Sequence, residues 1–316
     1  MPGDEPKAQH FVHRAYLDGF TDSRGNVWTY IPYKAPFPQR PERVAKRNYY
    51  YCYERGDERV FDVEHALSKL EDVSLPVLER LTSGDLALND EDRLTFAGYI
   101  ALSYCRVPTF QKNMDRLSSW MSAKRLANFL KNEKAVESYV RIRQEQGEKI
   151  DVEKFKKDIT GGSVVLSQTN RGWSLGQMFK MMMMLQRVFW DMKWTFLSVP
   201  NGSDGLVTSD NPVIPSDPVG SPFGGVGFAS SPEAYFTFPL SSRLCLMGSH
   251  KWSARESAQL SPMKVRELNK LRILHCEQQI YAPFQSPKVQ ALLDEKASRK
   301  TSTGRILLSQ GKVVEE

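Results

Sequence analysis

LGQMFKMMMMLQRVFWDMKWTFLSV, residues 175–199, contains the change of period on which the fold class turns. Up to Trp194 the apolar residues recur at helical spacing, with Met178 and Met181 to Met184 suited to filling an irregular core surface. From Thr195 onward the pattern becomes short apolar runs separated by Gly, Pro and Ser. Thr195 to Val199, Gly205 to Ser209, Ala234 to Pro239 and Leu244 to Met247 read as strands. The expectation is an α+β fold, a mainly helical N-terminal and central part packed on a small, mainly antiparallel sheet from the C-terminal third.

Upstream, His10 to Phe20 has helix-like apolar spacing, and Val27 to Tyr33 and Val44 to Tyr53 have the aromatic and β-branched content of strands. Asp62 opens a helix that stops near Gly84, and Asn89 caps another that runs to Arg106, where Pro108 interrupts it. Thr109 to Asn132, Glu133 to Gln146 and Asp151 to Asp158 read as further helices, a helical insertion over about residues 109–172 of a domain spanning 9–285. A last helix runs from Ser261-Pro262 to Cys276, and residues 286–316 form a basic tail expected to be flexible. The glycine- and proline-rich loop from Ser216 to Ser231 is long enough to act as a lid.

Lys and Arg number 43 against 37 acidic residues, for a net charge of +6 and a pI near 9.0. That surplus admits nucleic acid as a partner, although mixed signs at helical spacing from Arg106 to Lys157 also fit solvated helix faces. Cys52, Cys105, Cys245 and Cys276 are too far apart for a zinc knuckle or a dense disulfide framework. No run of eighteen apolar residues and no leader are visible, so the expectation is a cytoplasmic protein without membrane contact. The oligomeric state is not readable, since the methionine-rich face suits a dimer as well as a core.

Two polar islands interrupt apolar surroundings, Gln9-His10 and Thr208-Ser209-Asp210-Asn211-Pro212-Val213. With Val27-Trp28-Thr29-Tyr30, Val44-Ala45, Asn48-Tyr49-Tyr50, Glu64, Glu71, Arg106, Pro108, Phe110, Trp194, Phe238-Pro239-Leu240-Ser241, Arg243 and Asn269, they give an ordered pattern. That pattern resembles the bacterial family of uncharacterised proteins called domain of unknown function 4238, over about residues 9 to 285. The chain departs from it at His13, where a proline is usual, at Ser103, where a glutamine is frequent, and at Ser242, where a second proline is expected. The resemblance implies that these residues share a site and implies no reaction.

The candidates carry definite chemistry. His10 can act as acid, base or ligand, or can seal a helix start by donating to a carbonyl. Glu64 and Glu71 lie two helical turns apart, about 10 Å along the axis, so they need further ligands to hold one ion. Asp210, at the end of a strand, offers a carboxylate beside Ser209 and Asn211, or closes an Asx turn. Arg106 caps a helix or clamps an anion, and Arg243 has the same two roles, with Asp210 as a partner.

Two functions follow. In one the chain is a hydrolase, a metal-assisted phosphodiesterase or nuclease. Glu64, Glu71 and Asp210 would hold Mg or Mn, His10 would carry a proton, and Arg106, Arg243, Ser209, Asn211 and Gln9 would bind substrate. In the other the same groups form a binding or sensing module, without catalysis, for a small anionic ligand or a partner protein. A polar core whose members only satisfy one another is the structural alternative.

Overall fold

The computed structural model describes residues 7–165, 171–217, 228–229, 231–251, 256–299, 306–309 and 312–315. Among them the fold is α+β, with helices α1 (Arg14–Asp18), α2 (Asp62–Ser83), α3 (Asp90–Cys105), α4 (Pro108–Leu130), α5 (Glu133–Glu145), α6 (Val152–Thr160), α7 (Arg171–Asp191), α8 (Pro262–His275) and α9 (Pro287–Ser298). The chain divides into two compact units, Met1–Gln111 with Arg171–Arg299, and Lys112–Asn170 with Lys300–Glu316.

Helix ends in the first unit fall where side chains satisfy the first free amides. Asn89 Oδ1 accepts from Asp92 N at 2.8 Å, and Ser261 Oγ accepts from Lys264 N at 3.3 Å. Gly84 ends α2 in the left-handed region, φ 102°, which a side chain disfavours. Helix α7 packs on α3, and its Leu175, Met178, Met182, Leu185 and Phe189, which recur three or four residues apart, are all buried. At the crossing, Gly98 leaves room for the Gln186 amide, which donates to Leu94 O at 3.1 Å. The methionine run is therefore split: Met178 and Met182 are core, whereas Met183 and Met184 are 70% and 65% exposed.

Two larger sheets complete this unit. The first has the strand order Ile214–Ser216, Tyr235–Ser241, Leu244–Ser249, Lys193–Ser198 and Ser257–Gln259, antiparallel except for the last pair. The second has the order Phe37–Gln39, Val27–Tyr30, Ile280–Ala282 and Thr208–Ser209, all antiparallel. Sheet structure is thus not confined to the C-terminal third, because the second sheet pairs early strands with late ones. Tyr16 stacks on Phe238 with centroids 5.2 Å apart, and its hydroxyl is 2.6 Å from Thr208 Oγ1 and donates to Pro239 O at 2.8 Å, fastening α1 to both sheets.

Three local expectations are corrected. His10 does not begin a helix; Ala8–His10 is a strand paired with Lys46–Asn48, and α1 starts only at Arg14. Val44 to Tyr53 is not one strand, because Ala45 and Tyr49 adopt left-handed φ of 52° and 53° and break it on either side of Lys46–Asn48. The presumed tail starts with a docked helix: α9 buries Val289 and Leu293, and Asp294 Oδ1 accepts from Tyr33 N at 2.7 Å. The lid expected at Ser216 to Ser231 lies largely outside the described residues.

In the second unit, Ala127 packs with Leu126, Leu130 and Phe155, and Tyr139 lies 5.8 Å from Phe129 and 5.7 Å from Phe155. A three-stranded antiparallel sheet joins Gly161–Val165, Ile306–Ser309 and Lys312–Glu315. Among the described residues no helix is long and apolar enough to cross a membrane.

Gly248 faces Phe236 across the first sheet, and a methyl group at 248 would overlap that fully buried ring. Gly248→Ala is expected to destabilise the protein by about 1–3 kcal/mol, read as a lower urea midpoint at unchanged m-value.

Candidate functional site

Arg106 follows the last residue of α3, two positions before the proline that opens α4, so its side chain leaves the helix end into the core. It is only 3% exposed. A guanidinium keeps its proton, so burial obliges the surroundings to supply acceptors. One Nη donates to the Glu71 carboxylate and the other to the carbonyl of His10. Nε lies 3.4 Å from Tyr51 Oη, while that hydroxyl donates to Arg106 O at 2.8 Å. Burial opposes the Arg106 charge, but Glu71 and Tyr51 outweigh it and raise the pKa. Three of its five N–H groups are thus committed within the protein, and Arg106 organises the site.

Gln9 is likewise structural. Its Oε1 accepts from Tyr51 N at 2.7 Å and its Nε2 donates to Cys52 Sγ at 3.2 Å, with no exposed surface. That latch fixes the strand from which His10 projects.

His10, Glu64, Glu71 and His13 gather around Arg106. His13 was read only as a departure from the family pattern, yet its Nδ1 is 3.0 Å from Tyr99 Oη and its Nε2 is 3.9 Å from Glu71 Oε1. Its spacing from His10 by three residues is the sequence signal that could have found it. Tyr51 and Tyr99 carried no such signal. Burial lowers the pKa of His10, helped by Arg106 and Lys46 and opposed by Glu71 and a backbone hydrogen bond with Glu42. The His13 pKa is also lowered by burial, with Glu71 opposing. Glu64 shifts the other way, raised by burial and by Glu71 against the pull of Arg106. His10 Nε2 and Glu64 Oε2 are both buried without a hydrogen-bond partner in the structure. Orphaned buried polar atoms are uncommon, and a bound group, a water molecule, local strain or a catalytic role accounts for them.

The second polar island does not join this cluster. Asp210 Oδ1 accepts from Glu277 N at 2.7 Å, and Oδ2 accepts from Gln278 N at 2.6 Å and Gln279 N at 2.9 Å. Asn211 Nδ2 donates to His275 O at 2.9 Å, and Ser209 Oγ donates to Asn211 O at 2.9 Å. Together these groups satisfy the backbone where α8 ends and the chain turns into Ile280–Ala282. Burial pushes the Asp210 carboxyl up to about 6 while the three amides hold it down. Asp210, Ser209 and Asn211, expected at the site, are thus engaged in this capping. Arg243 is exposed and donates to Ser203 O at 3.2 Å, so it does not pair with Asp210. Among the described residues no group of three or more His, Cys, Asp or Glu is placed to hold a metal ion, so Glu64, Glu71 and Asp210 do not form a ligand set for Mg or Mn.

Arg272, not singled out from the sequence, is the other buried arginine. It donates to Pro212 O at 2.6 Å, Thr237 O at 3.3 Å and Thr237 Oγ1 at 2.8 Å, and burial lowers its pKa to about 10. Its place on the Val265, Ile273 and Cys276 face of α8 was the available clue.

The family model for a protein of unknown function, DUF4238, matches residues 8–285. The chain belongs to that family. Neither a curated protein nor a solved structure matches it. The family match ends two residues before α9 begins, although that helix packs into the same unit.

Two substitutions separate the clusters. Arg106→Met leaves Glu71 without its guanidinium and is expected to cost about 3–5 kcal/mol, largely recovered in the double variant Arg106→Met/Glu71→Gln. Asp210→Ala is expected to cost about 3 kcal/mol by stranding the amides of residues 277–279, without additivity failure when combined with Glu71→Gln. Urea titrations of the single and double variants measure both.

Proposed function

We propose that this DUF4238 protein is a hydrolase of phosphodiesters whose working groups are His10 and Glu64, with Arg106, Glu71 and His13 holding them in place. One observation carries the reading: a histidine nitrogen and a glutamate oxygen are both buried without partners beside one clamped arginine. The environment draws the two pKa values toward one another, His10 down from 6.5 and Glu64 up from 4.5. Both shifts enlarge the fraction of molecules carrying neutral imidazole beside protonated carboxyl, the state in which one accepts a proton and the other donates one. In the reaction His10 takes a proton from the attacking water, or from a hydroxyl group of the substrate, a bond forms between that oxygen and phosphorus, and the bond to the leaving oxygen breaks. Glu64 gives its proton to the leaving oxygen. Lys46, opposite His10 in the strand pair, supplies positive charge for the anionic ester.

A metal-assisted version of this chemistry would need a ligand set other than Glu64, Glu71 and Asp210. A cytoplasmic setting accords with four cysteines that are all free thiols and all buried. The same pair of groups beside Lys46 also suits retention of a small anionic ligand without turnover, and the test below separates the two.

Hydrolysis of bis(p-nitrophenyl) phosphate in the presence of EDTA is the expected activity, with a bell-shaped dependence on pH and a mildly acidic optimum. Its acid limb lies above 4.5 and its alkaline limb below 6.5, following the directions of the two shifts. His10→Ala and Glu64→Gln are each expected to lower kcat by about 10²–10⁴ with unchanged melting temperature. Release of no p-nitrophenol by wild-type protein, with a melting shift on adding inorganic phosphate, would instead establish the binding module.

A further inference from the structure

A cationic surface adjoins His10. The strand Lys46–Asn48 is exposed along its whole length and has no apolar residue, and its register sets Lys46 opposite His10 and Arg47 opposite Gln9. The Arg47 guanidinium lies over two rings, 5.6 Å from Phe11 and 5.5 Å from Tyr50. Arg171, at the first position of α7, reaches the same Tyr50 ring at 5.0 Å and is steadied by Gln111 Oε1 at 3.0 Å. Among the described residues neither Lys46, Arg47 nor Arg171 lies within ion-pairing distance of a carboxylate, whereas Arg80, Arg187 and Arg299 do, as does Arg14 beside Glu42, whose backbone bonds to His10.

Three features of this surface select a ligand. Arg47 and Arg171 meet at the Tyr50 ring, with Lys46 next to Arg47 in the strand, and such a group of cations suits an extended anion with repeated charges. Guanidinium planes resting on tyrosine and phenylalanine are already ordered, so their outward faces form shelves on which a flat base stacks while their edges donate to phosphate. The lack of apolar side chains on the strand argues against insertion into a lipid surface, which needs buried hydrocarbon besides charge. A single nucleic-acid strand supplies both phosphates and open base faces. The ribose form also supplies a nucleophile, since its 2′-hydroxyl stands beside the phosphorus and needs no metal ion to deliver it.

We propose that Lys46, Arg47 and Arg171 form the docking surface for a single strand of RNA, which they present to His10. This rests on the hydrolase reading only for the cleavage step. In that step the 2′-oxygen loses its proton to His10 and bonds to phosphorus, the bond from phosphorus to the 5′-oxygen breaks, and Glu64 protonates the departing 5′-oxygen. The products are a 2′,3′-cyclic phosphate and a free 5′-hydroxyl, with no further reactant consumed.

Fluorescence anisotropy with an end-labelled single-stranded RNA and its 2′-deoxy counterpart, followed by gel analysis of the same mixtures, tests the proposal. Binding of both strands, weakened by added salt, and cleavage of the RNA alone are expected. Lys46→Glu/Arg47→Glu and Arg171→Glu are each expected to weaken binding about tenfold or more, with melting temperatures of wild type, while Arg299→Glu on another surface binds normally. His10→Ala is expected to bind and not to cleave. Undiminished binding by the charge-reversed variants overturns the proposal, as does absence of RNA binding by wild-type protein, including the case in which it binds phosphatidylserine vesicles instead. RNA bound but uncut by the wild type refutes the hydrolase reading and leaves the docking surface standing. Turnover of bis(p-nitrophenyl) phosphate without RNA binding does the reverse, and cutting of the deoxy strand overturns the role of the 2′-hydroxyl.

Discussion

A guanidinium that cannot lose its proton and cannot reach water must be surrounded by oxygen, and Arg106 imposes that demand on the first unit. The carboxylate comes from α2, the carbonyl from the strand carrying His10, and the hydroxyl from Tyr51. Pieces of chain far apart in sequence are therefore held in one arrangement by a single side chain. The electrostatics of the neighbourhood follow from it. Beside a fixed positive charge and out of water, an imidazole favours its neutral form, and the Glu64 carboxyl, for which burial outweighs the pull of that charge, holds its proton longer.

The other pair of buried charges is handled differently. Arg272 and Asp210 both serve the region around α8, yet they make no ion pair with each other. Arg272 is met by two carbonyls and a threonine hydroxyl, and Asp210 by three amides. Backbone dipoles thus stand in for a counter-ion on both sides, which fixes the path of the main chain more tightly than a direct bridge between side chains would. This explains how a motif as polar as Ser209-Asp210-Asn211 can be buried.

The elements with strong local signals were legible in the sequence. Helices α2, α3, α5 and α8 begin where the capping residues and apolar periods say, within a residue or two. The change of character at Thr195 lies close to the end of α7, although the strand already begins at Lys193. What local pattern could not convey was pairing. Gln9-His10 is a strand because Lys46–Asn48 lies alongside, and Val44 to Tyr53 is broken because Ala45 and Tyr49 take left-handed angles that their side chains do not announce. The candidate site was half legible. His10, Glu64, Glu71 and Arg106 do come together, but Asp210 could not be told from a catalytic carboxylate by its neighbours in sequence, since only the amides of residues 277–279 decide its role.

The three-stranded sheet of the second unit draws one strand from residues 161–165 and the other two from 306–315. On the ribosome the first of these emerges well before its partners, with the whole of α7 to α9 synthesised in between. The strand at residues 161–165 therefore stays without its sheet partners until residues 306–315 have been made. Closure of that sheet is accordingly tied to a segment synthesised only after α9.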